Sequence, residues 1–99
     1  MPELVTGSLQ DILDLEGIEC ASFEKEHIEY RVYRDIQINK SGPFGLIKQR
    51  ETRYDIEYYD YQNCHRGWQL ARHVRTETEK DAFLAERAIP QDQGWTARY

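Results

Sequence analysis

Ninety-nine residues, 39 % apolar and 31 % charged with a net charge of −5, allow one modest core under a very polar skin. No apolar run approaches bilayer thickness, which excludes a membrane-spanning helix, and two cysteines are too few for a disulfide scaffold. Aromatic residues at 12 % in periodic runs set the chain apart from disordered sequences.

Charge is unevenly distributed. Residues 1–30 hold eight acids against one base, residues 31–75 nine bases against five acids, and residues 76–99 three bases against five acids. A basic middle between acidic ends points either to a polyanion contact or to ends that fold against the middle, and the overall acidity favours the second. The start, Met1-Pro2-Glu3, shows no basic leader or apolar segment, so a cytoplasmic location is expected.

In chain order, residues 1–27 read as an acidic segment carrying one short helix. Ser8 is placed to cap it and Asp11 sits in its first turn, while Leu9, Ile12 and Leu13 share a face and Gly17 offers a left-handed stop. A strand meander over 28–74 follows. Ile28, Tyr30, Val32, Ile36 and Ile38 alternate with polar residues, with Arg34 out of pattern as the mark of a bulge or bend. Residues 39–43 read as a turn, 44–49 as a short strand, 53–61 as a second confident strand, and 68–74 as a third. Thr76 and Glu79 form a capping box that opens a helix over 76–89, closed by Pro90. Residues 94–99 alternate again, as a possible edge strand. The fold class is therefore α+β: one domain over 1–99, with an antiparallel meander of three to five strands, a short N-terminal helix, and a C-terminal helix packed on one face.

The strand at 54–61 is chemically dense, with four tyrosines and three carboxylates in eight residues. Tyrosine favours a pleated strand, and acids disfavour one unless water or a cation meets them, so a rim of phenols and carboxylates facing outward is expected. Asp55 and Glu57 fall on one strand face with Tyr59, and Asp60 on the other. Carboxylates in a row can imitate the charge spacing of a nucleic-acid backbone, and Tyr, Trp and Arg anchor interfaces. The predicted partner-binding residues are Asp55, Glu57, Tyr59, Asp60, Tyr61 and Trp68, with Glu24, Glu26 and Glu29 from the acidic segment; Tyr54, Tyr58 and Trp95 are further candidate anchors.

The function expected is that of a non-enzymatic interaction protein docking on a basic protein groove. Inhibitors of DNA- and RNA-handling enzymes, such as anti-CRISPR and antirestriction proteins, share this size, charge and build; no family motif is present. An alternative uses the basic middle: Arg31, Tyr33, Arg50, Arg53, Arg66 and Arg72 would hold RNA or a single strand, as small toxin ribonucleases do, with Tyr33, Tyr59 and Tyr61 as stacking platforms. A third reading is an accessory subunit whose tail extends a partner's sheet, and an open edge strand leaves a homodimer possible.

Other chemistry is poorly supported. Cys20, His27, Cys64, His65 and His73 lack the spacing of zinc ligands, and Cys64 beside His65 does not orient a nucleophile and its base, so no metal, cofactor or catalytic residue is expected. No glycine-rich phosphate loop precedes a helix.

Overall fold

A computed structural model describes residues 5–63 and 66–99; the Cys64-His65 pair lies outside the described residues. The described residues form six strands and two α-helices: β1 (Thr6–Gly7), α1 (Leu9–Leu13), β2 (Cys20–Lys25), β3 (Ile28–Ser41), β4 (Ile47–Asp60), β5 (Gln69–Val74), α2 (Glu77–Glu86) and β6 (Trp95–Arg98). They form one antiparallel sheet in the order β1-β6-β2-β3-β4-β5. The α+β class and the antiparallel meander hold, with six strands where three to five were expected. No helix among the described residues is long and apolar enough to cross a membrane.

Both N-caps act as their sequences predict. Ser8 Oγ accepts from the Asp11 N–H and Thr76 Oγ1 from the Glu79 N–H, each satisfying a donor that the first helical turn leaves free. Leu9, Ile12 and Leu13 of α1 and Phe83 and Leu84 of α2 cover the same sheet face, over Ala21, Tyr30, Val32, Tyr54, Ile56, Val74 and Trp95. Helix α2 stops at Glu86, short of the expected residue 89. Ala88 turns left-handed at φ 57°, and the Ile89 N–H donates back to the Leu84 carbonyl, which tucks Ile89 into the core.

Several local expectations are corrected. No bulge occurs at Arg34, because the β3–β4 register runs unbroken through Arg34 and Tyr54. Arg34 instead reaches α1, donating to Asp14 at 2.6 Å and to the Leu13 carbonyl at 2.7 Å. The ladder irregularity lies between Ile56 and Glu57, where β5 pairs with β4. The predicted turn at 39–43 and the two strands after it are one long hairpin: β3 continues to Ser41, a 3-10 turn over Pro43–Gly45 reverses the chain, and β4 runs on without a break. The acidic opening segment contributes β1 and β2, so it is part of the sheet. The tail is no edge, since β6 sits between β1 and β2 and Trp95 is core.

Gly94, just before β6, is required by its surroundings. Its φ is +86°, and a Cβ there would meet the Phe23 ring at 2.7 Å. Gly94→Ala is expected to cost about 1–3 kcal/mol through left-handed strain and a steric clash, read as a lowered urea midpoint. An unchanged midpoint would show that the approach to β6 is not held in this conformation.

Candidate docking face

Strand parity assigns every strand side chain to one of two faces, because directly paired residues point the same way. One face lies under the two helices. Neither helix covers the other, which carries Cys20, Ser22 and Glu24 of β2, Glu29, Arg31, Tyr33 and Asp35 of β3, Glu51, Arg53, Asp55, Glu57 and Tyr59 of β4, and Arg98 of β6. Asp55, Glu57 and Tyr59 do share a face, as alternation predicts, and Tyr54 and Ile56 between them are core. Asp60 has the opposite parity. It accepts the Gln62 and Asn63 N–H groups at 3.0 Å each, so it organises the turn after β4.

An aromatic cluster lies on this uncovered face where β4 ends and β5 begins. Tyr59 stacks in a tilted arrangement with Tyr61 at 4.9 Å and with Trp68 at 5.7 Å between ring centroids. The Arg31 guanidinium lies 3.9 Å from the Trp68 ring centroid and 5.3 Å from that of Tyr33. The same guanidinium is bound to Glu57 through Nε at 2.8 Å and a second nitrogen at 2.6 Å, a two-point contact that fixes the arginine plane under the rings. Tyr61 is 53 % exposed, and Tyr59 and Trp68 are half-buried, so the rings offer both a rigid base and free edges.

Glu29 is the buried charge of the site, at 4 % exposure. Burial on its own would raise its pKa, but hydrogen bonds from the Ser22 hydroxyl at 2.6 Å, the Tyr61 phenol and the Arg98 guanidinium outweigh it and hold the carboxyl below the ordinary range. The hydrogen bond that Tyr61 donates to it, with burial and the negative charge of Glu29 adding to the effect, pushes the Tyr61 phenol up to about 12. Asp55 meets His73 across the β4–β5 pair. Six carboxylates on this face stand against three arginines: Glu24, Glu29, Asp35, Glu51, Asp55 and Glu57 against Arg31, Arg53 and Arg98. The excess is negative, although Glu29, Glu51 and Glu57 are matched from within by Arg98, Arg53 and Arg31.

Of the predicted partner-binding residues, Glu24, Glu29, Asp55, Glu57, Tyr59, Tyr61 and Trp68 come together here. Glu26 lies in the β2–β3 turn with a left-handed φ of 57°. Tyr54 and Trp95 are buried in the core and cannot anchor a partner; the Tyr58 hydroxyl donates to Gln69 on the helix side. The alternative basic set does not converge. Arg31 and Tyr33 join the aromatic cluster, Arg53 contacts Glu51, Arg50 lies on the helix-side parity of the hairpin, Arg66 is exposed in the β4–β5 loop, and Arg72 stacks over the Phe83 ring of α2.

Cys20 is buried on the docking-face parity, and burial pushes its thiol up, away from reactivity. Sequence reasoning missed Ser22 and Arg98 as members of the site. Their only signal was the alternation in two segments not read as inner strands. No family model matches this sequence, and no curated protein or solved structure matches it.

Proposed function

We propose that this chain is an interaction protein that docks its uncovered sheet face onto a basic groove of a protein partner, in its most concrete form an inhibitor of a nucleic-acid-handling enzyme. The carrying observation is the aromatic cluster of Tyr59, Tyr61 and Trp68 set in an excess of carboxylates on the face that neither helix covers. Rigid rings supply contact area at small entropic cost. The carboxylates speed encounter with a basic surface and set orientation, while the buried rings set residence time. Internal pairing of Arg31 with Glu57 holds the surface in its binding geometry before the partner arrives.

The test is displacement. The chain is titrated into complexes of duplex DNA with basic nucleic-acid enzymes of its native cell, and release of DNA is followed by anisotropy. Release that weakens as salt rises is expected. Tyr59→Ala and Trp68→Ala should each weaken it by about 2 kcal/mol or more with folding intact, as central aromatic anchors do. Affinity that ignores salt and survives both substitutions would assign binding to another surface. Direct binding of random single strands by the chain alone would favour the nucleic-acid-binding alternative.

A further inference from the structure

The β3–β4 hairpin outruns the rest of the sheet. β2 pairs with β3 only as far as Tyr33, and β5 with β4 only as far as Tyr54, so the distal part is a two-stranded ribbon ending at Ser41 and Ile47. It projects about 25 Å at the usual rise per residue. Its helix-side parity continues the core face with Ile36, Ile38, Lys40, Lys48, Arg50 and Thr52. Ile36 is 46 % and Ile38 59 % exposed, because α1 and α2 both end before reaching them. Residues 36–50 contain three bases and no acid, in a chain with 18 acids.

We infer that this ribbon face receives an acidic amphipathic helix of a partner protein, a surface separate from the docking face and on the opposite side of the sheet. The chain's own helices show what this face accepts. α1 lays Leu9, Ile12 and Leu13 on the sheet, and its Asp14 is met by Arg34. α2 lays down Phe83 and Leu84 with Glu77 and Glu79 outward, while Arg72 stacks on Phe83 and Lys25 Nζ donates to the Arg87 and Ala88 carbonyls at its end. Both helices are acidic outside and mainly apolar beneath, the buried Lys80 of α2 over the Tyr54 ring excepted, and both are set on a face of apolar and basic residues. The ribbon repeats that face with nothing of its own above it among the described residues. A depression of about 250 Å³, lined by Leu13, Leu15, Ile18, Glu19, Arg34 and Ile36, joins the end of α1 to the ribbon and opens the track. A helix of about 15 residues matches the ribbon's length.

Two other occupants fit less well. A second ribbon would set Lys40, Lys48 and Arg50 against their own copies. A nucleic acid or anionic membrane would face three bases backed by a chain of net charge −5. One feature of the ribbon works against its own stability: Lys40 and Lys48 are direct cross-strand partners, a like-charge pair that an acidic visitor would relieve.

The experiment uses the full chain and a labelled synthetic peptide of about 15 residues, with leucines at helical spacing and glutamates between them, followed by fluorescence anisotropy. A peptide of the same composition in scrambled order, phosphatidylserine vesicles and a random DNA duplex are the comparison arms. Saturable binding of the patterned peptide alone is expected, weakening with salt. Ile38→Ser and Lys48→Glu should each lower affinity about tenfold or more. Lys48→Glu should at the same time raise the melting temperature, because it places opposite charges across the strands. No saturable binding, equal binding of the scrambled peptide, tighter binding of vesicles or DNA, or full affinity in either variant would overturn the inference.

Discussion

Trp95→Ala should destabilise this protein by about 3–5 kcal/mol, the usual cost of removing a large buried ring. Trp95 is 0 % exposed, its Nε1–H donates to the Pro90 carbonyl at 2.7 Å, and its ring meets Phe23 at 5.3 Å. The substitution removes apolar contact and leaves the Pro90 carbonyl without its indole donor. It also acts where three strands meet, since Trp95 pairs with Gly7 of β1 and its neighbour Thr96 with Ser22 of β2. Domains of this size hold about 5–15 kcal/mol in all, so much of the stability would go. Urea unfolding followed by circular dichroism measures it, with exposed Tyr99→Ala as the control, expected within about 0.5 kcal/mol of the parent. A Trp95→Ala loss below about 1 kcal/mol would mean that β6 does not key the sheet.

The second large effect concerns Glu29. Glu29→Gln is expected to cost about 2–3 kcal/mol at pH 7, because the carboxylate accepts charge-assisted hydrogen bonds from Ser22, Tyr61 and Arg98 that an amide cannot reproduce. The pH dependence follows from the direction of the shift. Glu29 is held below its unfolded value, so its contribution is complete above roughly pH 4.3, the usual glutamate value. It is lost as pH falls through the folded pKa, where the native state must take up the proton. Parent and variant should therefore converge in acid. Tyr61 gives the opposite sign at high pH. Its folded pKa of about 12 lies above the unfolded value of roughly 10, so its contribution is whole below pH 10 and fades as pH rises through 12. Parallel stability curves for parent and variant from pH 7 down to pH 3 would remove Glu29 from this role. Because Glu29 underlies Tyr61, the substitution also tests how far the docking face depends on its buried charge.

Much of the fold was legible where a short-range rule operated. Ser8 and Thr76 announced their helices through capping chemistry. The alternation of Ile28, Tyr30 and Val32, and of Tyr54 and Ile56, set the parity that assigns Tyr59 and Glu57 to the uncovered face. Long-range arrangement was not legible. β2 opens on Cys20, Ala21 and Ser22, whose small side chains give a weak strand signal, and nothing local in Trp95–Arg98 states that it enters between β1 and β2. The ribbon was misread because Asn39, Ser41, Gly42 and Pro43 resemble a completed turn, while the chain actually reverses over Pro43–Gly45. Ile36 and Ile38 have core parity yet are exposed, because parity names a face and not what covers it. Lys80 shows the converse. It is 2 % exposed, held near Asp81 at 3.4 Å and over the Tyr54 ring, a burial that its residue type conceals.

The position of β6 also bears on how the chain matures. Thr6 finds its partner in Thr96, while the β3–β4 hairpin needs only neighbouring residues. Local hairpins close in microseconds, and contacts spanning the chain come later. A ribosome delivering this protein in order would thus leave a slot between its first two strands that only the arrival of Trp95 can fill. Until then Leu9 and Ile12 would stay wet, and the nascent chain would carry an adhesive seam of the sort that chaperones are built to shield.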